Sequence, residues 1–71
     1  MKTLDVCGLS CPEPVVRTQA ALKALPAGES LAVLADTATA RDNILRTATQ
    51  AGCRVRADND GDAFRIVLTK A

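Results

Sequence analysis

Two prolines at alternate positions, in Cys11-Pro12-Glu13-Pro14, constrain this chain more than any other feature, because they fix where a helix begins. Proline lacks a backbone N–H that would have no intrahelical partner in the first turn, and its φ is already helical. A run of good helix formers, Val15 to Leu25, follows directly. With Pro12 as the first helical residue, Cys11 is the N-cap, its side chain near the free amides of Glu13 and Val15. Serine, threonine, aspartate and asparagine are the preferred caps, so a cysteine here gives up helix stability. Something other than capping selects it.

A thiolate at that point is favoured by the positive end of the helix dipole and by the free amides, which bring cysteine pKa values down from about 8.5 to roughly 3.5–7.5 at activated sites. Glu13 works in the other direction. Its carboxylate lies in the same turn and either raises the thiol pKa or serves as a nearby proton donor or acceptor, depending on where it points.

The 71 residues are expected to form a single domain, 1–71, with 48% apolar residues and a formal charge of +1. That balance lacks the basic excess of a dedicated nucleic-acid binder, and Phe64, the sole aromatic, leaves almost nothing for base stacking. Direct nucleic-acid binding is therefore disfavoured. No apolar run approaches the length of a membrane span, and Met1-Lys2-Thr3-Leu4-Asp5 does not read as a secretory signal, so a cytoplasmic protein is expected. Three cysteines, an odd number, suit a reducing compartment where thiols act singly or transiently.

In chain order, Thr3 to Cys7 alternates as a short strand that ends at Gly8. Along the first helix Val15, Thr18, Ala21, Leu22 and Leu25 form the inward stripe, with Arg17, Gln19 and Lys23 elsewhere, and Pro26-Ala27-Gly28 stops it. The apolar run Ser30 to Ala35 reads as a buried central strand. A second helix is predicted with Thr39 as N-cap and Asp42 completing a capping box, with Ala40, Ile44, Ala48 and Ala51 inward and Gly52 at its close. Cys53 to Ala57 alternates as a strand, residues 58–62 form the turn, and Ala63 to Lys70 is the last strand, with Phe64, Ile66 and Leu68 on one face.

The predicted order is βαβαββ, an α/β (α+β) two-layer sandwich in which a mixed four-stranded sheet carries both helices on one face. The first strand ends where the first helix begins, so Cys11 is expected at a strand's C-terminal edge.

Gly8-Leu9-Ser10-Cys11-Pro12-Glu13-Pro14 after a Leu-Asp-Val strand resembles the signature of the TusA/SirA family of small sulfur-carrier proteins, whose motif is Cys-Pro-x-Pro. The likeness extends to Gly28-Glu29 before the second strand, to Asp36-x-Ala38-Thr39-x-x-Asp42 after it, and to the βαβαββ order. Departures are Thr37, where proline is frequent, Asn43-Ile44, where the nearest TusA-like members have isoleucine and proline, and the thiol at Cys7. The resemblance implies that Cys11 accepts a sulfane sulfur as a persulfide and passes it on, with Gly8, Pro12 and Pro14 as motif residues. It implies a cysteine desulfurase or rhodanese-like donor and a downstream acceptor serving tRNA thiolation, molybdenum-cofactor maturation or sulfur oxidation. No cofactor or metal is called for. Small size and a self-contained core point to a monomer that docks transiently, a carrier more than a free-standing enzyme.

Other readings compete. Cys7 is expected to be buried at the strand end, the alternative being a resolving thiol that pairs transiently with Cys11 in a redox protein. Cys53 shares the parity of Val55 and is expected in the core. A metal site made of the three thiols is disfavoured, since Cys-x3-Cys is a weak spacing and the chain has no histidine. Arg54, Arg56 and Arg65 are expected to share one outer face, a strip that would receive an acidic partner or, in a small RNA-associated binding module, a phosphate backbone.

Overall fold

The computed structural model describes residues 2–10 and 13–71. These residues form β1 (Lys2–Asp5), α1 (Glu13–Ala24), β2 (Ser30–Ala35), α2 (Ala38–Gln50), β3 (Arg54–Asp60) and β4 (Ala63–Thr69). The four strands make one mixed sheet in the order β1-β2-β4-β3, with β1 parallel to β2 and the other pairs antiparallel. The βαβαββ sandwich and the central place of Ser30–Ala35 are as predicted.

One face of the sheet carries the core. Leu31, Val33 and Ala35 on β2 stand opposite Leu68, Ile66 and Phe64 on β4, so their side chains share a face. All but the half-buried Phe64 are buried there, with Leu22 and Leu25 from the α1 segment and Ile44 and Ala48 from α2. The other face carries Ala32, Leu34, Arg65, Val67 and Thr69 and has no helix over it. No helix among the described residues is long and apolar enough to cross a membrane.

Several boundaries depart from the sequence reading, each for a local reason. The first strand stops at Asp5, because the Asp5 carboxylate accepts a hydrogen bond from the Cys7 amide at 2.9 Å and turns the chain away. Cys7 is consequently exposed, not buried as expected, and Val6 takes the core position instead. On α1 it is Pro14 that is buried with Thr18 and Leu22, while Val15 is half-buried. The second helix starts earlier than Thr39. Thr37 is its N-cap, in extended conformation, and its hydroxyl accepts from the Ala40 amide at 3.1 Å. The Thr39/Asp42 box does not form; the Asp42 carboxylate pairs with Arg41. Ala51, expected inward, is the exposed C-cap.

The terminal hairpin is also tighter than predicted. Asp60 pairs with Ala63, leaving a two-residue connection, Gly61-Asp62, with Gly61 at φ +63° and no positive φ at Asp62, the pattern of a II′ turn. Strand β3 is an edge strand and exposed throughout, so Val55 remains 37% exposed although it sits opposite Leu68 on the helix-bearing face. Cys53 is half-buried and packs against the core.

Candidate functional site

Strands β1 and β2 run parallel, and each is followed by a helix that returns over the sheet. Both helices therefore begin at the same edge, where β1 and β2 end. Two backbone amides and two carboxylates organise that edge. Asp5 holds the Cys7 amide, and Asp36, one residue past β2, accepts from the Gly8 amide at 2.9 Å. Gly8 is at φ +78°, a left-handed conformation that glycine adopts at little cost. The Val6 amide donates to the Leu34 carbonyl, which carries the β1–β2 pairing one residue past the strand. The Glu13 amide donates to the Ser10 carbonyl at 2.8 Å.

Cys11 and Pro12, the residues on which the sequence reading turned, lie outside the described residues. Their neighbours are placed. Glu13 opens α1, exposed, and its carboxylate lies 3.3 Å from Arg17 one turn on. Pro14 is buried, its carbonyl taking the hydroxyl of the buried Thr18 at 2.7 Å. A cleft of about 320 Å³ opens beside them, walled by Leu9, Ser10 and Pro14 on one side and Thr37, Thr39 and Asn43 on the other.

The electrostatics of the loop set Cys7 apart. Its thiol is pushed above the ordinary value, first by partial desolvation, then by hydrogen bonding to the Asp5 carboxylate and by the negative charges of Asp5 and Asp36. The same geometry holds the Asp5 carboxyl below its ordinary value, mainly because the ionised form accepts the Cys7 amide. An exposed thiol kept protonated is a poor nucleophile at neutral pH.

The remaining candidates lie elsewhere. Cys53 lines a second cleft, about 460 Å³, with Gln19, Lys23, Thr47, Gln50 and Lys70, at the end where the helices finish. Arg54 and Arg56 stand opposite Thr69 and Val67, and Asp58 opposite Arg65, so the three arginines share the uncovered face of the sheet. Asp58 shares it too, 3.2 Å from Arg56, which breaks the positive strip. Among the described residues no three histidine, cysteine or acidic side chains gather as metal ligands.

Sequence reasoning missed Asp5, Asp36 and Lys70. Asp5 had a local signal, an aspartate two residues before an amide and three before a glycine. Asp36 entered only as part of the family likeness, and nothing local pointed to its bond, since its partner is 28 positions away.

The family model described as "Sulfurtransferase TusA" matches residues 2–70. A curated protein of Methanocaldococcus jannaschii is 45% identical over 71 residues, spanning 99% of this chain and 95% of its own. One from Bacillus subtilis is 33% identical over 70 residues, spanning 97% and 93%. The names given to both propose a sulfur-carrier role. The crystal structure of a SirA-like protein from Desulfitobacterium hafniense superposes with a TM-score of 0.87 at 31% identity, covering 96% of this chain and 95% of that one.

Proposed function

This chain belongs to the TusA sulfurtransferase family, and from that premise we propose that it carries sulfane sulfur as a persulfide on Cys11, taken from a donor protein and handed to an acceptor protein. The Cys11 thiolate attacks the outer sulfur of the donor's persulfide. The donor's S–S bond breaks, its cysteine leaves as a thiolate, and a new S–S bond forms on Cys11 with no net oxidation or reduction.

The observation that carries this reading is the gathering of both helix N-termini at the edge where residues 7–10 lead into Cys11-Pro12-Glu13-Pro14. Helix dipoles at such an edge favour an anion, here a thiolate or a persulfide anion, although the Glu13 amide, expected to be free, is taken by the Ser10 carbonyl. The other thiol of the loop is held protonated, so the two cysteines differ in reactivity. Glu13, paired with Arg17, is read as a modest tuner of the site, in place of a dedicated base. Cysteine desulfurases and rhodanese-like proteins are the donor classes that suit this chemistry, with docking transient and the reducing cytoplasm the compartment in which the thiols stay available. The matched span, residues 2–70, supports reading residues 1–71 as one carrier domain.

Intact-protein mass spectrometry after incubation with a cysteine desulfurase and cysteine tests the proposal on wild type and on Cys11→Ser, Cys7→Ser and Cys53→Ser. A reducible gain of one sulfur, lost only in Cys11→Ser, is expected. A loss of two hydrogens requiring both Cys7 and Cys11 would instead make the chain a dithiol redox protein.

A further inference from the structure

Strand β3 ends the sheet, at the edge opposite β1, and only one of its two sides is hydrogen-bonded to a neighbouring strand, β4. Such an edge presents a row of unpaired backbone N–H and C=O groups, which proteins usually protect by shortness, proline, a bulge or charge. Here the strand is seven residues long, exposed throughout and free of proline and glycine, and its pairing with β4 runs from Arg54 to Asp60 without a break. Its protection is charge in a particular order. Arg54, Arg56, Asp58 and Asp60 alternate with Val55, Ala57 and Asn59, so the uncovered face of the sheet carries two positive charges and then two negative ones along this edge. On the helix-bearing face Val55 is 37% exposed, a large apolar side chain left open to water.

That order is complementary to itself when run backwards. Laid antiparallel against a second copy with Ala57 facing Ala57, Arg54 faces Asp60 and Arg56 faces Asp58, and the two-fold symmetry repeats both pairs. Opposite charges directly across an antiparallel ladder are favourable, and like charges are not. A shift of two residues in one direction sets Arg56 against Arg56, and in the other Asp58 against Asp58. A parallel, in-register pairing sets every charge against its like. We propose that β3 is the interface of a symmetric homodimer in the Ala57-centred register, which joins two four-stranded sheets edge to edge. The contact of Arg56 with Asp58 within the strand, at 3.2 Å, leaves the two side chains 78% and 48% exposed, so the second copy's pair closes a ring of four charges with it. Arg65 stands opposite Asp58 on β4, and a carboxylate has acceptor sites for more than one guanidinium. Each copy keeps its own core, as expected of a monomer, and the edge adds an association to it. The loop before α1 lies past the end of β1, at the other edge of the sheet, so sulfur carriage neither needs the dimer nor is blocked by it. A single pair of strands makes a small interface, below about 1,200 Å² in total, and association of that class is weak and concentration-dependent.

Sedimentation velocity with a thiol reductant present tests the interface on wild type, Arg56→Asp, Asp58→Arg and the double reversal Arg56→Asp/Asp58→Arg, each from about 10 μM to about 1 mM. Circular dichroism reports whether each variant is folded, and the wild-type series depends on no variant. Wild type is expected to pass from monomer toward dimer across this range. Either single reversal sets like charges together twice, by symmetry, and should raise the dissociation constant roughly tenfold or more. The double reversal exchanges the two charges, restores both pairs and should return the constant to within about threefold of wild type. A wild type that stays monomeric up to the highest concentration overturns the proposal, and the charges of β3 then serve only to keep the edge in water. A dimer that neither single reversal weakens lies elsewhere on the surface and overturns it too. A double reversal as weak as the single ones rules out the Ala57-centred register and the proposal with it.

Discussion

Asp36 accepts a hydrogen bond from the amide of Gly8 at 2.9 Å, joining the end of the second strand to the turn that leads into the Cys-Pro-Glu-Pro helix start. The contact is between a carboxylate acceptor and a backbone donor, and it fixes a left-handed residue five positions before α1 begins at Glu13. Asp36 thus acts as a brace on the loop from outside it.

Removing that brace is expected to loosen the loop more than the fold. Asp36→Ala deletes the acceptor, whose net worth is about 1 kcal/mol, equivalent to a roughly fivefold rise in local opening. Amide hydrogen exchange at Gly8 should accelerate by that factor while the exchange of β2 and β4 amides stays unchanged. Asp36→Asn keeps an acceptor oxygen and should restore most of the protection. Equal exchange at Gly8 in wild type and Asp36→Ala would show that the bond contributes nothing in solution.

The two carboxylates of the loop also determine how its thiol titrates. Desolvation and the charges of Asp5 and Asp36 hold Cys7 protonated above its ordinary range. In a Cys11→Ser, Cys53→Ser background, alkylation of Cys7 should therefore rise with pH along a curve displaced to higher pH than that of the unfolded chain. Asp36→Asn removes one of the two charges and should move the curve back toward lower pH. A Cys7 that alkylates like a free peptide thiol in the folded protein would refute this account of the loop.

How far the sequence could be read follows from how local each determinant was. The apolar run Ser30–Ala35 identified the central strand, because a strand flanked on both edges shows no alternation when even Ala32, on the uncovered face, is buried. The prolines marked α1, and Gly52 and Gly61 marked turns through their backbone freedom. Thr37 was passed over for Thr39 because both fit a cap, and the choice depends on how β2 delivers the chain to the helix. Cys7 was expected inside because an alternating pattern carries no sign that Asp5 will fold back on its own amide. Lys70 read as the tail of a strand, since its partners on and just past α1 lie 48 and 45 positions away.

Acidification should release the loop before it unfolds the sheet. Asp5 has a folded pKa below its unfolded one, so its contribution is complete above the ordinary carboxylate range and is lost as the pH falls through the lowered folded value. The Cys7 amide resonance, whose shift reports the Asp5 contact, should begin to move only at lower pH than an ordinary aspartate would dictate. Asp5→Asn should abolish that step and leave the rest of the titration in place. A Cys7 amide that already moves at higher pH, tracking an unshifted carboxyl, would contradict the contact.

Lys70 closes the far end of the molecule. Its ammonium donates to the carbonyls of Leu22 and Leu25, both at 2.9 Å, at the end of α1 where carbonyls lack i+4 partners; the Leu22 carbonyl also accepts from the Leu25 amide at 3.2 Å. A positive charge is also favoured there by the helix dipole. The Lys70 backbone exchanges hydrogen bonds with the turn before β2, donating to Glu29 and accepting from Gly28, so helix end, turn and last strand share one residue. Lys70→Met keeps the aliphatic stem and removes the donors, and bonds from a charged donor to partly buried carbonyls are worth about 1–3 kcal/mol together. In a domain of 60–100 residues each kcal/mol shifts Tm by about 4–8 °C, so thermal unfolding should show a fall of at least that size. Sulfur loading of the folded protein at Cys11 should be unaffected, because this clasp sits where the helices end and the loop lies where they begin. A Tm unchanged by Lys70→Met would mean that solvent replaces the clasp at no cost, and a loading defect at full stability would mean that the two ends of the molecule are coupled.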